Sequence, residues 1–243
     1  MSARKERIIG VLGGMGPEAT SDLFQKIIKH TPASKDQDHL RIIIDNNPKI
    51  PDRTPAVLGT GESILPLMAE TARNLERAGA DFIVIPCVTA HYFLTDLRRE
   101  IGTPIISIVE ELGNELDSHF PDVKRIGLIS TTGTIKGRIF QQTLEEMARE
   151  VLVPSEEDQK GLVMEAIYGK KGIKAGHTGL ENKRKVVEAA EHLIRKGAQG
   201  VIAGCTEIPL VLKDEDIAVP LFDTLLILAK AAIREAMATE RKS

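Results

Sequence analysis

Two cysteines, Cys87 and Cys205, are the only thiols in the chain, and each stands just past a short apolar run. The first run is Asp81-Phe-Ile-Val-Ile-Pro-Cys-Val-Thr-Ala-His91, the second Gln199-Gly-Val-Ile-Ala-Gly-Cys-Thr-Glu-Ile-Pro209. β-Branched residues followed by small and polar ones read as a buried strand that ends where a helix begins. A lone cysteine at such a place is more often core than catalyst. Two at matching places favour chemistry. An unperturbed thiol, with a pKa of about 8.5, is only a few per cent thiolate at neutral pH. Free N–H groups at a helix start lower that value, so both thiols are expected to be activated in this way. Thr89 and Thr206 stand beside them, placed to cap the helices or to donate to a substrate carboxylate.

The elements that must position these residues repeat. Arg7–Leu12 reads as a buried parallel strand, continuous in apolar residues. It runs into Gly13-Gly-Met-Gly-Pro17 and a helix with Leu23, Ile27 and Ile28 on one face. A strand at Leu40–Asp45, a Pro-rich loop from Asn46 to Pro55 and a helix over about Glu62–Ala78 precede the first cysteine strand. A short helix then leads to Pro104–Ile108. The order starts again with a strand at Lys124–Ile129, the Ser130–Thr134 loop and a helix beginning near Ile135. A helix over Glu181–Lys196, the second cysteine strand, Val219–Asp223 and a last helix to about Thr239 complete it. Gly10 and Gly127 are 117 residues apart, Ala80 and Ala198 118, Cys87 and Cys205 118, and Pro104 and Pro220 116. An internal duplication follows: an α/β protein of two similar parallel-sheet lobes, pseudo-twofold related, with a cleft between them. One lobe takes in 1–104 plus 218–243 and carries Cys87; the other, 105–217, carries Cys205.

In open α/β sheets the ligand sits beyond the carboxyl ends of the strands. Both cysteines and both loops, Gly13–Pro17 and Ser130–Thr134, fall there. A pseudo-twofold axis sets the two thiols on opposite sides of one bound molecule. That suits a reaction that is itself nearly mirror-symmetric, in which one residue removes a proton from a carbon and the other returns one on the opposite face. So weak a carbon acid needs a closed, dry site, and closure of the lobes is the expected means.

Other chemistries fit less well. The glycine loop lacks the G-x-G-x-x-G order and holds Pro17 in its turn, so it reads as a backbone cradle for a small carboxylate, and no dinucleotide cofactor is expected. Cys87 and His91, four apart, could share a helix face as metal ligands. Cys205 would be the only obvious third ligand and neither C-x-x-C nor H-E-x-x-H occurs, so no metal is expected. His91 reads instead as a donor behind the site or a residue on a helix surface. Glu207 is placed to orient or deprotonate Cys205. Asp52 and Arg53 are adjacent opposite charges that could pair with each other. A net charge of −3 gives no basic footprint for nucleic acid, and 3% aromatic content gives no stacking platform. No apolar run approaches a membrane span, and Met1–Arg7 runs into a strand without a signal-peptide core, so a cytoplasmic location is expected.

Four segments, Gly13-Gly-Met-Gly-Pro-Glu-Ala-Thr20, Asp45-Asn-Asn-Pro-Lys-Ile-Pro-Asp-Arg-Thr54, Pro86-Cys-Val-Thr-Ala-His91 and Gly204-Cys-Thr-Glu-Ile208, resemble the aspartate/glutamate racemase family, in the right order and over nearly the whole chain. The resemblance implies a cofactor-independent two-base racemase of an acidic amino acid, working as a homodimer. Cys87 would act on the D enantiomer and Cys205 on the L enantiomer. Arg53 would grip the substrate side-chain carboxylate, assisted by Lys174, and the last helix would return to the first lobe. Met15, Asn47, Thr89, Thr132, Thr134 and Thr206 complete the expected substrate-binding set, with Glu207 in support.

Val88 departs from the family pattern, which has Asn after the first cysteine to help bind the α-carboxylate or α-amino group. Losing such a contact costs roughly 1–3 kcal/mol, enough to weaken binding or to shift the substrate. Two alternatives are therefore kept: a decarboxylase or isomerase of small carboxylates that uses one thiol, and a module that binds a small acid without turnover.

Overall fold

The first strand, β1 (Ile9–Gly13), is buried at every residue, so both of its faces need cover. In the computed structural model, which describes residues 6–238, that cover comes from helices on each side. The chain continues through α1 (Pro17–His30), β2 (Ile42–Asn46), α2 (Arg53–Val57), α3 (Leu65–Arg77), β3 (Phe82–Val84), a 3₁₀ turn at Thr89–Phe93, α4 (Leu94–Glu100), β4 (Ile105–Ile106) and α5 (Ile108–His119). The second half follows with β5 (Arg125–Ile129), α6 (Thr132–Lys136), α7 (Gln141–Glu146), β6 (Glu150–Leu152), α8 (Glu156–Asp158), a π-turn over Gln159–Met164 and α9 (Glu165–Tyr168). It ends with α10 (Leu180–Arg195), β7 (Gly200–Ala203), β8 (Leu221–Asp223) and α11 (Thr224–Met237). Residues 1–5, on which part of the signal-peptide expectation rests, and the helix end expected near Thr239 lie outside the described residues. No helix among the described residues is long and apolar enough to cross a membrane.

Each half builds a four-stranded parallel sheet, in the orders β2-β1-β3-β4 and β6-β5-β7-β8. The duplication extends to single hydrogen bonds. Helix α3 ends with Gly79 at φ +90°, where Gly79 N–H donates to Glu76 O and Ala80 N–H to Leu75 O. Helix α10 ends in the same way, with Gly197 at φ +96°, its N–H on Ile194 O and that of Ala198 on Leu193 O. Both are glycine-terminated helix ends, in which only glycine takes the left-handed conformation without strain. Ile83 N–H donates to Pro104 O, and Val201 N–H to Pro220 O, so the matched prolines hold equivalent registers.

Sheet membership moves the lobe boundaries. β4 pairs with β3, so the first sheet runs past 104 to Ile106, and β8 pairs with β7, so the second sheet keeps its chain to Asp223. Beyond Asp223 the chain does return: α11 packs on α1 and α5. One apolar cluster joins Ile9 and Val11 of the first sheet to Ile126 and Leu128 of the second, through Leu112 and Leu116 of α5 and Leu225 and Leu228 of α11. A large shared core leaves two lobes little freedom to swing as rigid bodies, which weighs against whole-lobe closure as the way water is excluded.

Several elements differ from the sequence reading. The helix expected near Ile135 starts at Thr132, because Thr131 caps it by accepting from Thr134 N–H, and it stops after five residues. The edge strand β6 and the helical run from Glu156 to Tyr168 were not foreseen. The segments after the cysteines are short 3₁₀ turns, Thr89–Phe93 and Ile208–Leu210, and neither is an α-helix opening at a cysteine.

Candidate active site

Pro86 and Thr206, each next to a cysteine, meet across the lobes: Thr206 Oγ1 donates to Pro86 O at 3.1 Å. Cys87 packs at the edge of the first lobe's outer cluster and Cys205 at the edge of the second's, and they are 5% and 6% exposed. Separate cores could have kept them apart. The bond from Thr206 to Pro86 ties the two cysteine turns to each other instead, and the charges of both sulfurs act on the Lys174 ammonium.

The two thiols have different charged neighbours. Cys205 Sγ–H donates to Glu207 Oε2 at 2.9 Å. Burial pushes the Cys205 thiol well above its usual range, the Glu207 carboxylate pushes it further, and Lys174 opposes both. Glu207 is 2% exposed and its other oxygen pairs with Lys174 Nζ. Burial disfavours the Lys174 charge, but Glu207, Cys205 and Cys87 outweigh it and hold the ammonium above its ordinary value.

Cys87 has a cationic neighbour. Arg53, the first residue of α2, feels the charge of Cys87, and its guanidinium is held by Nη2 on Met15 O at 3.0 Å and Nη1 on Pro51 O at 3.1 Å. Its Nε is buried without a partner. Burial works against the Arg53 charge, and Cys87, Tyr168 and Asp52 together more than offset it. Asp52 and Arg53 do not pair with each other: Asp52 Oδ1 caps α2 by accepting from Thr54 N–H at 2.9 Å. The same oxygen accepts from Tyr168 Oη of the other lobe at 3.1 Å.

Tyr168 was missed by sequence reasoning. Its hydroxyl holds the cap of the helix that carries Arg53, and its ring centre lies 5.7 Å from Lys174 Nζ, within cation–π range. Burial, then Asp52 and Cys205, keep its phenol protonated. No spacing marks it. Its proximity to Lys174 in the chain is the only signal that could have found it.

The remaining expected residues have structural partners. Thr89 Oγ1 lies 3.0 Å from Thr131 Oγ1 and 2.9 Å from Thr134 Oγ1, a hydroxyl cluster across the lobes. Asn47 donates from Nδ2 to Thr71 Oγ1 and accepts at Oδ1 from Lys49 N–H, which folds its own loop. Thr132 Oγ1 lies 3.3 Å from Gln159 Nε2. Val88 joins the core shared by the lobes. The glycine loop does line the site: a Cβ on Gly16 would sit 3.2 Å from Glu207 Oε1 and 3.7 Å from Lys174 Nζ.

His91 is buried, so it is not on a helix surface. Its Nδ1 lies 2.9 Å from Cys87 O, and its Nε2 accepts from Ile108 N–H at 3.1 Å. Burial lowers its pKa to about 4; the Cys87 carbonyl and Glu110 oppose that, and Arg98 adds to it. The fold therefore holds His91 neutral, whereas the unfolded chain takes up the proton below about pH 6.5. Its contribution is complete above that pH and is lost as pH falls toward 4. A loss of about 3 kcal/mol between pH 7 and pH 4 is expected. Urea titrations of the parent and of His91→Gln should show it, the variant lacking this part of the pH dependence.

The sequence model of a family described as Asp/Glu/Hydantoin racemase matches residues 12–232. The chain is 28% identical over 232 residues to the broad specificity amino-acid racemase RacX of Bacillus subtilis, covering 93% of this chain and 96% of that protein. It is 30% identical over 163 residues to the glutamate racemase of Aquifex pyrophilus, covering 67% and 60%. The solved structure of Picrophilus torridus aspartate racemase superposes with a TM-score of 0.78 at 26% identity, covering 95% of this chain and 94% of that one.

Proposed function

The chain belongs to the Asp/Glu/Hydantoin racemase family, and from that premise we propose that it interconverts the enantiomers of an acidic amino acid through Cys87 and Cys205. The observation that carries this is the bond between Thr206 and Pro86, which joins the two cysteine turns across the lobes, beside an ammonium, Lys174, paired with the carboxylate that accepts from Cys205. Arg53 and Lys174 supply the positive charge that a dicarboxylic substrate requires and that a developing carbanion needs for stabilisation.

With the D enantiomer, Cys87, beside Arg53, removes the α-proton; the electron pair is left on the α-carbon and delocalises into the carboxylate. Cys205 then delivers its proton to the opposite face. The L product leaves with Cys87 protonated and Cys205 a thiolate, the form that accepts the L enantiomer. Glu207, hydrogen-bonded to Cys205, relays the proton that restores the first form.

Lys174 is already paired with Glu207, which favours a second reading in which a neutral side chain is accepted as well. The similarity to a broad specificity racemase points the same way. Chiral chromatography of reactions with aspartate, glutamate and several neutral amino acids decides between them. A kcat/KM for an acidic substrate at least tenfold above every neutral one supports the first; neutral substrates turned over equally well or better remove it.

A further inference from the structure

Resting on the two-thiol mechanism above, we infer that His91 is a positioning residue for Cys87, clamping its main chain to the start of α5 and so fixing the line along which the sulfur meets the α-carbon. Ile108 N–H can only donate, so Nε2 is the bare ring nitrogen, and Nδ1 carries the proton and donates to Cys87 O. Cys87 N–H is held as well, on Ile85 O at 2.8 Å. Ile108 is the first residue of α5, which packs against α7 and α11. The clamp thus ties Cys87 to the core that joins the lobes.

The duplication shows that the fold itself does not demand this histidine. The position 118 residues on is Pro209, in the turn that follows Cys205. There the Cys205 carbonyl accepts from Ile208 N–H within its own turn. The second half builds the same strand and turn without a buried imidazole, so the clamp serves one thiol alone.

The equilibrium constant of a racemisation is one, which forces equal kcat/KM in both directions for any variant. The asymmetry is therefore read in an irreversible half-reaction. With β-chloro-D-alanine or β-chloro-L-alanine, a single thiolate removes the α-proton, the electron pair forms the Cα–Cβ double bond and chloride leaves from Cβ. The resulting enamine tautomerises and is hydrolysed by water to pyruvate and ammonium. Cys87→Ser should abolish elimination from one enantiomer and Cys205→Ser from the other. His91→Leu should lower the Cys87-dependent rate by at least about tenfold, as small misplacements do, and leave the Cys205-dependent rate within about twofold. His91→Gln, which keeps a donor and an acceptor, should recover most of the loss. It also keeps the test open if the leucine variant fails to fold, because any residual deficit must fall on the Cys87-dependent enantiomer. Equal losses with both enantiomers, or none, would overturn the positioning role. A parent enzyme that eliminates from neither enantiomer, or cysteine variants that do not separate them, would remove the two-thiol mechanism and this role with it.

Discussion

Cys87→Ser and Cys205→Ser should each lower racemisation of the preferred amino acid by about 10²–10⁴-fold, the range by which a positioned acid or base accelerates proton transfer. Serine preserves the shape of each site and replaces a thiol by a far weaker acid. In the proposed mechanism each turnover uses one group to take the proton and the other to return one, so neither sulfur can stand in for its partner. The two losses should therefore be of similar size, and the double variant should be little worse than either single one, as for groups that act as a unit. Circular dichroism and melting of the variants would show that the fold is intact. Retention of most activity by either variant would point to a one-thiol enzyme.

Glu207→Gln is the second large effect expected. The carboxylate accepts from Cys205 and pairs with Lys174, and it is almost fully buried. The amide keeps the volume but removes a charge from between a thiol and an ammonium. The Cys205 thiol, raised first by burial and then by Glu207, must fall when that charge is gone and Lys174 is left facing it. The alkaline limb of the pH profile, which reports the need for a protonated Cys205 on the D enantiomer, should move to lower pH. Loss of the proton relay should lower kcat by about a hundredfold. An unchanged pH profile would show that Glu207 serves only to anchor Lys174.

The duplication was legible because its landmarks are backbone-determined. Ala80 and Ala198 follow the glycines that end helices, and Pro104 and Pro220 hold strand registers, so their spacing survives as sequence pattern. β6 was not legible, since three residues at a sheet edge carry too little periodicity. At the candidate site, the cysteines stand out through the repeat, and Arg53 and Lys174 through the family resemblance. What holds them was not visible. Tyr168 and Asp52 lie 116 residues apart, and Lys174 and Glu207 lie 33 apart, so only the folded chain brings them together. The partners of the threonines and Asn47 were hidden for a related reason. A hydroxyl or an amide beside a catalytic residue suggests a substrate contact, whereas in the fold Thr89, Thr206 and Asn47 bond to protein groups first. The source of thiol electrostatics was also misjudged. The chain opens each turn after the cysteines as 3₁₀ and not as an α-helix, and places charge nearby through Arg53, Lys174 and Glu207.

The most direct measurement is the fate of deuterium at the start of the reaction. The parent enzyme is given the protiated L enantiomer of its preferred amino acid in D₂O, and substrate and product are separated and analysed while conversion is still a few per cent. Two thiols on opposite faces predict that nearly all the newly formed D product carries α-deuterium while the recovered L substrate still carries protium. Deuterium entering substrate as fast as product, or product formed with its original proton, would mean that one group does both tasks, contrary to the proposed two-thiol mechanism.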